Sequence, residues 1–149
     1  MKSLILESTE STPEINFDIE NHIFDMTGVS MPENASGFYQ QIIDWLDLYK
    51  ENMANKKTGT DGISIKLNFK LTYCNSASAK YLLIIMERLK KLKDSGIGNI
   101  EINWYYDAGD ELMLNDGKDI SGGGPGLMYS TPRTRASQGV DTGTPGTSE

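Results

Sequence analysis

Residues 63–89 read ISIKLNFKLTYCNSASAKYLLIIMERL, and the change of period inside this stretch decides the fold. Ile63, Ile65, Leu67, Phe69 and Leu71 alternate with Ser64, Lys66, Asn68, Lys70 and Thr72. A period of two places one set on each face of a strand, so the segment predicts a strand with one buried and one wet face. After Asn75-Ser76 the spacing becomes helical: Ala79, Leu82, Leu83, Met86 and Leu89 recur every three or four residues, and Gly96 supplies a stop. A strand runs directly into an amphipathic helix.

Outward from this unit the same two periods return. Ile100, Ile102, Trp104 and Tyr106 alternate with Glu101, Asn103 and Tyr105, predicting another strand. Ile15, Phe17 and Ile19 suggest an earlier one, and Glu20-Asn21 makes a turn into a partner around His22–Thr27. Phe38, Ile42, Trp45, Leu46 and Tyr49 keep helical spacing after the start signal Pro32-Glu33-Asn34. A weaker helix runs from Asp110 towards Asp119.

The order strand, strand, helix, strand, helix, strand, helix predicts an α/β fold. It has a four-stranded mixed sheet: an antiparallel N-terminal hairpin followed by two crossovers to parallel neighbours. Because the strands alternate, the helices should cover mainly one face. The other face, with Lys66, Asn68 and Lys70, is either an ordinary solvated surface or a docking surface.

Composition sets the limits. The chain has 149 residues, 38% of them hydrophobic, enough for one domain with a real core. From Ser121 to Glu149 the composition shifts: the segment holds seven of the 15 glycines and three of the five prolines. Too little apolar surface is available there to offset ordering entropy, which predicts a disordered tail over 121–149. Residues 1–10 read as an N-terminal extension and 11–120 as the folded domain. No apolar run is long enough to span a membrane, and MKSLILESTE is no signal peptide, so a cytoplasmic protein is expected. The lone Cys74 fits a reducing compartment. A net charge of −7 argues against a nucleic-acid partner.

Catalysis finds little support. His22 and Cys74 are the single histidine and cysteine, and nothing local pairs them as base and nucleophile. The run Asp107, Asp110, Glu111, Asp116 and Asp119 lacks calcium-loop spacing and reads as the charged side of a solvated helix. Gly122-Gly123-Gly124 opens no helix and makes no phosphate loop. No cofactor, metal site or catalytic residue is expected.

The informative segment is Tyr73-Cys74-Asn75-Ser76-Ala77-Ser78-Ala79-Lys80. Ser76 falls at or next to the N-cap, at the positive end of the helix dipole. A phosphate there would meet free backbone N–H groups, and Lys80, four residues on, shares its face. A serine in this position is most often only a cap. An anionic ligand bound at the same helix start would make the domain a small-molecule sensor instead.

Residues 11–120 also resemble the SiaC family of bacterial regulatory phosphoproteins, which are similar in logic to STAS-type anti-sigma-factor antagonists. The resemblance is carried by Ser11-Thr12-Pro13-Glu14, Met31-Pro32-Glu33-Asn34-Ala35, Phe38-Tyr39 and Trp45-Leu46. It continues through Leu67-Asn68-Phe69-Lys70-Leu71-Thr72-Tyr73, Asn75-Ser76 with Lys80, and Trp104-Tyr105-Tyr106-Asp107. It implies a STAS-like sheet and a non-catalytic partner switch, phosphorylated by a Ser/Thr kinase and reset by a PP2C-type phosphatase. The unmodified form would bind an effector, a diguanylate cyclase in cyclic di-GMP and biofilm signalling, or else a sigma-factor pathway. The family's acceptor hydroxyl follows Asn in a Tyr-x-Asn-Thr-Ser-Ser-x-Lys pattern, which falls here on Ser76, with Ser78 as fallback. Tyr73, Asn75, Ser76 and Lys80 would then form the partner-binding surface.

Overall fold

The computed structural model describes residues 1–55, 63–120 and 128–133. Strands β1 (Leu4–Leu6), β2 (Glu14–Asp18) and β3 (Ile23–Ser30) lead into helix α1 (Ala35–Asn55). Strand β4 (Ile63–Cys74), helix α2 (Ser76–Asp94), strand β5 (Gly98–Asp107), helix α3 (Glu111–Ile120) and strand β6 (Met128–Arg133) follow. The sheet keeps chain order, β1-β2-β3-β4-β5-β6. The β1–β2 and β2–β3 pairs are antiparallel, and the three pairs from β3 to β6 are parallel.

The expected hairpin and two crossovers are therefore present, but the sheet has six strands and not four. Both extra strands are edges. The first lies in the segment read as an extension, where Leu4-Ile5-Leu6 is too short to show a period. The other lies in the glycine-rich segment: its backbone pairs with β5 from Ile102↔Met128 to Asp107↔Arg133. A parallel edge strand can be held by ladder hydrogen bonds without an apolar alternation of its own, which is why composition missed it. Ala108 N–H donates to the Arg133 carbonyl at 2.7 Å, and Arg133 Nε lies 3.3 Å from Asp107 Oδ1. The remainder of 121–149, including Gly122-Gly123-Gly124, lies outside the described residues.

One sheet face carries the core. Ile15, Phe17, Phe24, Met26, Ile65, Leu67, Phe69, Ile102 and Trp104 are all buried on it, as the alternation requires. All three helices cover that face and contribute to a single cluster. From α1 come Tyr39, Ile42, Ile43, Trp45, Leu46 and Tyr49, with Trp45 and Tyr49 packed around Phe24. Helix α2 buries Ser78, Leu82, Ile85, Met86, Leu89 and Leu92. The predicted apolar face of α2 is thus rotated slightly, and Leu83 is left 41% exposed.

The opposite face is polar. Asn68 Nδ2 donates to Asp25 Oδ1 at 2.8 Å, and Asn103 Nδ2 donates to Asn68 Oδ1 at 2.9 Å, a ladder across β3, β4 and β5. Lys70 Nζ lies 3.7 Å from Asp25 and 5.8 Å from the Tyr105 ring centre. Asn68 is therefore committed within the sheet, while Lys66 faces outward.

Candidate functional site

In the parallel part of the sheet each strand ends where the next helix begins, so the starts of α1, α2 and α3 gather at one edge. Each has a side-chain cap. Asn34 Oδ1 accepts from Gly37 N, Asn75 Oδ1 from Ser78 N and Asp110 Oδ1 from Met113 N, at 3.0, 2.9 and 3.1 Å. Gly28, at φ +114°, sits where the β3–β4 register shifts, and this bulge brings Ser30 level with Cys74.

The start of α2 occupies the middle of this edge. Its N-cap is Asn75, half-buried, so Ser76 is the first helical residue. Ser76 and Ala77 are exposed, and among the described residues their backbone N–H groups have no hydrogen-bond partner. The first turn holds no acidic residue, whereas Lys91 and Lys93 offset the dipole at the far end. The positive end of α2 is thus left uncompensated beside an accessible hydroxyl. Lys80 is exposed on the next turn, its ammonium 5.7 Å from the Tyr81 ring centre, and Tyr73 is 48% exposed at the end of β4.

Ser78 is placed differently. Its side chain is 0% exposed, and its Oγ donates to the Ser30 carbonyl at 3.0 Å while accepting from Ser30 Oγ at 2.7 Å. A phosphate on Ser78 would have to enter closed core and displace both bonds. Tyr73, Asn75, Ser76 and Lys80 thus share one strand–helix junction, with Ser76 as its exposed hydroxyl and Asn75 engaged as the cap.

Two neighbours escaped sequence reasoning. Ser30 and Tyr39 are fully buried, and Tyr39 OH lies 2.5 Å from Ser30 Oγ. Nothing in a lone Ser at a strand end or a Tyr among helical apolar positions marks them as partners of a helix that starts 46 and 37 residues further on; only the crossover joins them. Desolvation pushes the Tyr39 phenol up to about 12, so it stays protonated. Cys74, also buried, is pushed up to about 11 by desolvation, with the charge of Asp116 adding to the effect. A buried, protonated thiol is a poor nucleophile. His22 lies at the β2–β3 turn, its Nδ1 2.6 Å from Tyr49 OH. Of the Asp107–Asp119 carboxylates, Asp110 caps α3 and Asp107 meets Arg133.

The family model described as SiaC family regulatory phosphoprotein matches residues 6–123. The chain belongs to the SiaC family. Similar to it is an uncharacterized protein of Pseudomonas aeruginosa strain UCBPP-PA14, 28% identical over 113 residues, which are 76% of this chain and 82% of that protein. The crystal structure of apo-SiaC from P. aeruginosa superposes with a TM-score of 0.72 at 24% identity, covering 88% of this chain and 99% of that one. A chain in the structure of the diguanylate cyclase SiaD with its activator SiaC, from the same organism, superposes with a TM-score of 0.73 at 23% identity. There the coverage is 87% of this chain and 99% of the other. These likenesses establish that the SiaC fold is the fold of this chain. Among the described residues, no helix is long and apolar enough to cross a membrane.

Proposed function

We propose that this SiaC family member is a non-catalytic, cytoplasmic partner-switch protein controlled by phosphorylation of Ser76. In the unmodified state the surface formed by Tyr73, Asn75, Ser76 and Lys80 docks an effector, which we take to be a diguanylate cyclase. A Ser/Thr kinase adds the phosphate and a PP2C-type phosphatase removes it. The observation that carries this reading is the exposed Ser76 hydroxyl at the first position of α2, beside two unpartnered amides and an uncompensated helix dipole. The effector class is supported by the relative SiaC, described as the activator of the diguanylate cyclase SiaD.

The chemistry of the switch follows from charge. A phosphoserine carries close to two negative charges and three strong acceptor oxygens. Placed on Ser76 it can take the amides of Ser76 and Ala77, and Lys80 can swing from the Tyr81 ring to meet it. An anion at this end of the helix is favourable, so the phosphate need not unfold anything. What changes is the surface: a partner that packed on a neutral hydroxyl must now desolvate a dianion, which disfavours docking.

Incubation with candidate Ser/Thr kinases from the same organism, followed by intact-mass measurement, tests the acceptor. Wild type and Ser78→Ala gain one phosphate and Ser76→Ala gains none; equal uptake by Ser76→Ala would remove Ser76 from the reading. Titration calorimetry with the cyclase tests the output. Ser76→Asp should weaken binding about tenfold or more, equivalent to about 1.4 kcal/mol.

A further inference from the structure

We propose that the Tyr39 hydroxyl is a positioning group for the Ser76 site, fixing the first turn of α2 through a buried chain of hydroxyls. The functional consequence rests on the reading of Ser76 above; the mechanical claim does not. Tyr39 of α1, Ser30 at the end of β3 and Ser78 of α2 are each 0% exposed, and no water-filled route is needed to connect them.

The direction of the chain is determined by proton counting. Ser78 Oγ donates its proton to the Ser30 carbonyl at 3.0 Å. Ser30 Oγ donates to Ser78 Oγ at 2.7 Å. Each hydroxyl has one proton, so in the 2.5 Å contact Tyr39 OH must be the donor and Ser30 Oγ the acceptor. Protons therefore run from Tyr39 to Ser30 to Ser78 and end on a backbone carbonyl. That carbonyl also accepts Asn75 N–H at 3.0 Å, and Asn75 in turn caps Ser78 N–H at 2.9 Å. Ser30 thus holds both the cap residue and the third helical residue, with Ser76 between them.

Tyr39 closes the arrangement from α1. Its ring stacks on Tyr81 of α2, centroids 5.3 Å apart and planes 2° from parallel, so a single side chain touches α2 directly and through Ser30. A hydroxyl that both accepts and donates is a stronger donor than one that only donates. Without the Tyr39 proton, the Ser30–Ser78 bond weakens, and Ser78 Oγ is released towards carbonyls of its own turn. The first turn of α2 then loses its fixed position, and Ser76 with Lys80 loses a single presentation.

Tyr39→Phe removes this one proton donor and keeps the ring stack. Amide hydrogen exchange is the direct readout. The amides of Ser78 and Ala79 should exchange about tenfold faster in the variant, while those in the last turn of α2, which open by fraying at the far end with the hydroxyl chain intact, stay within about twofold of wild type. Ser78→Ala breaks the chain at its other end and should loosen Ala79 similarly, and combining the two changes should be markedly less than additive. Unchanged exchange at Ser78 and Ala79, or an equal rise in the last turn of α2, overturns the positioning role; so does full additivity. Kinase kinetics supply the functional arm: at a temperature well below the melting transition of both proteins, Tyr39→Phe should lower kcat/KM for Ser76 about tenfold. A local exchange difference in a protein that takes no phosphate on Ser76 retains the brace and rejects the switch. A normal kcat/KM together with unchanged exchange rejects the brace and retains the switch.

Discussion

Cys74 shows how burial sets the behaviour of one residue. It ends β4 beside the start of α2, and its thiol is pushed from 9.0 up to about 11, chiefly by desolvation. The folded state therefore holds the proton more tightly than the unfolded chain. That contribution to stability is complete below about pH 9 and is lost as pH rises through about 11. Burial pushes Tyr39 up to about 12, so its share fades at still higher pH. Urea unfolding at a series of pH values checks this: wild type should lose stability from about pH 9 upward, and Cys74→Ala should lose less over the same interval, by roughly 1–3 kcal/mol. Parallel curves for the two proteins would assign the alkaline loss to other groups. The same burial predicts that thiol reagents label Cys74 only after unfolding.

At the scale of an element, α3 is the informative case because its sequence is weakly helical and its position is fixed by contacts. Trp104 of β5 donates its indole N–H to the Met113 carbonyl at 2.7 Å, which locks the ring under the helix. Gly117 lies directly over that ring: a Cβ built there would sit 2.6 Å from Trp104 Cδ1. Two effects of Gly117→Ala oppose each other. Helix propensity favours alanine by about 1 kcal/mol. Overpacking against a ring that cannot retreat costs about 1–3 kcal/mol. The steric cost should win, so the variant is expected to be less stable by about 1 kcal/mol and to shift the Trp104 fluorescence. A stabilised variant would mean that α3 rides freely over the sheet. The expected helix around Asp110–Asp119 was legible from its charges, but its dependence on one missing methyl group was not.

At the scale of the whole molecule, the unexpected feature is the sixth strand. It covers the open side of β5, whose ladder groups would otherwise be available to another chain. Removing residues 121–149 also removes Arg133 from Asp107 and the acceptor of Ala108 N–H. The shortened chain is expected to show a larger mass than the full chain in size-exclusion chromatography with light scattering, at equal concentration. An unchanged mass and melting temperature would make β6 dispensable. The four inner strands and three helices could be read directly, because each buries enough apolar side chain to show its period. The two edge strands could not. Leu4–Leu6 is too short for a period, and β6 is held by backbone pairing, which leaves no mark on composition.

For the site, the sequence determined the junction: a strand ending near Cys74, a helix beginning at Asn75-Ser76, and a hydroxyl at the positive end of its dipole. Those features are local, fixed by side-chain period and capping chemistry within one turn of chain. The tertiary structure decided what each hydroxyl can do. Ser76 and Ser78 are two residues apart and chemically alike, yet one faces solvent and the other is closed in by Ser30 and Tyr39. The residues that separate their fates arrive from another strand and another helix, 48 and 39 positions from Ser78, and proximity of that kind is created only by folding.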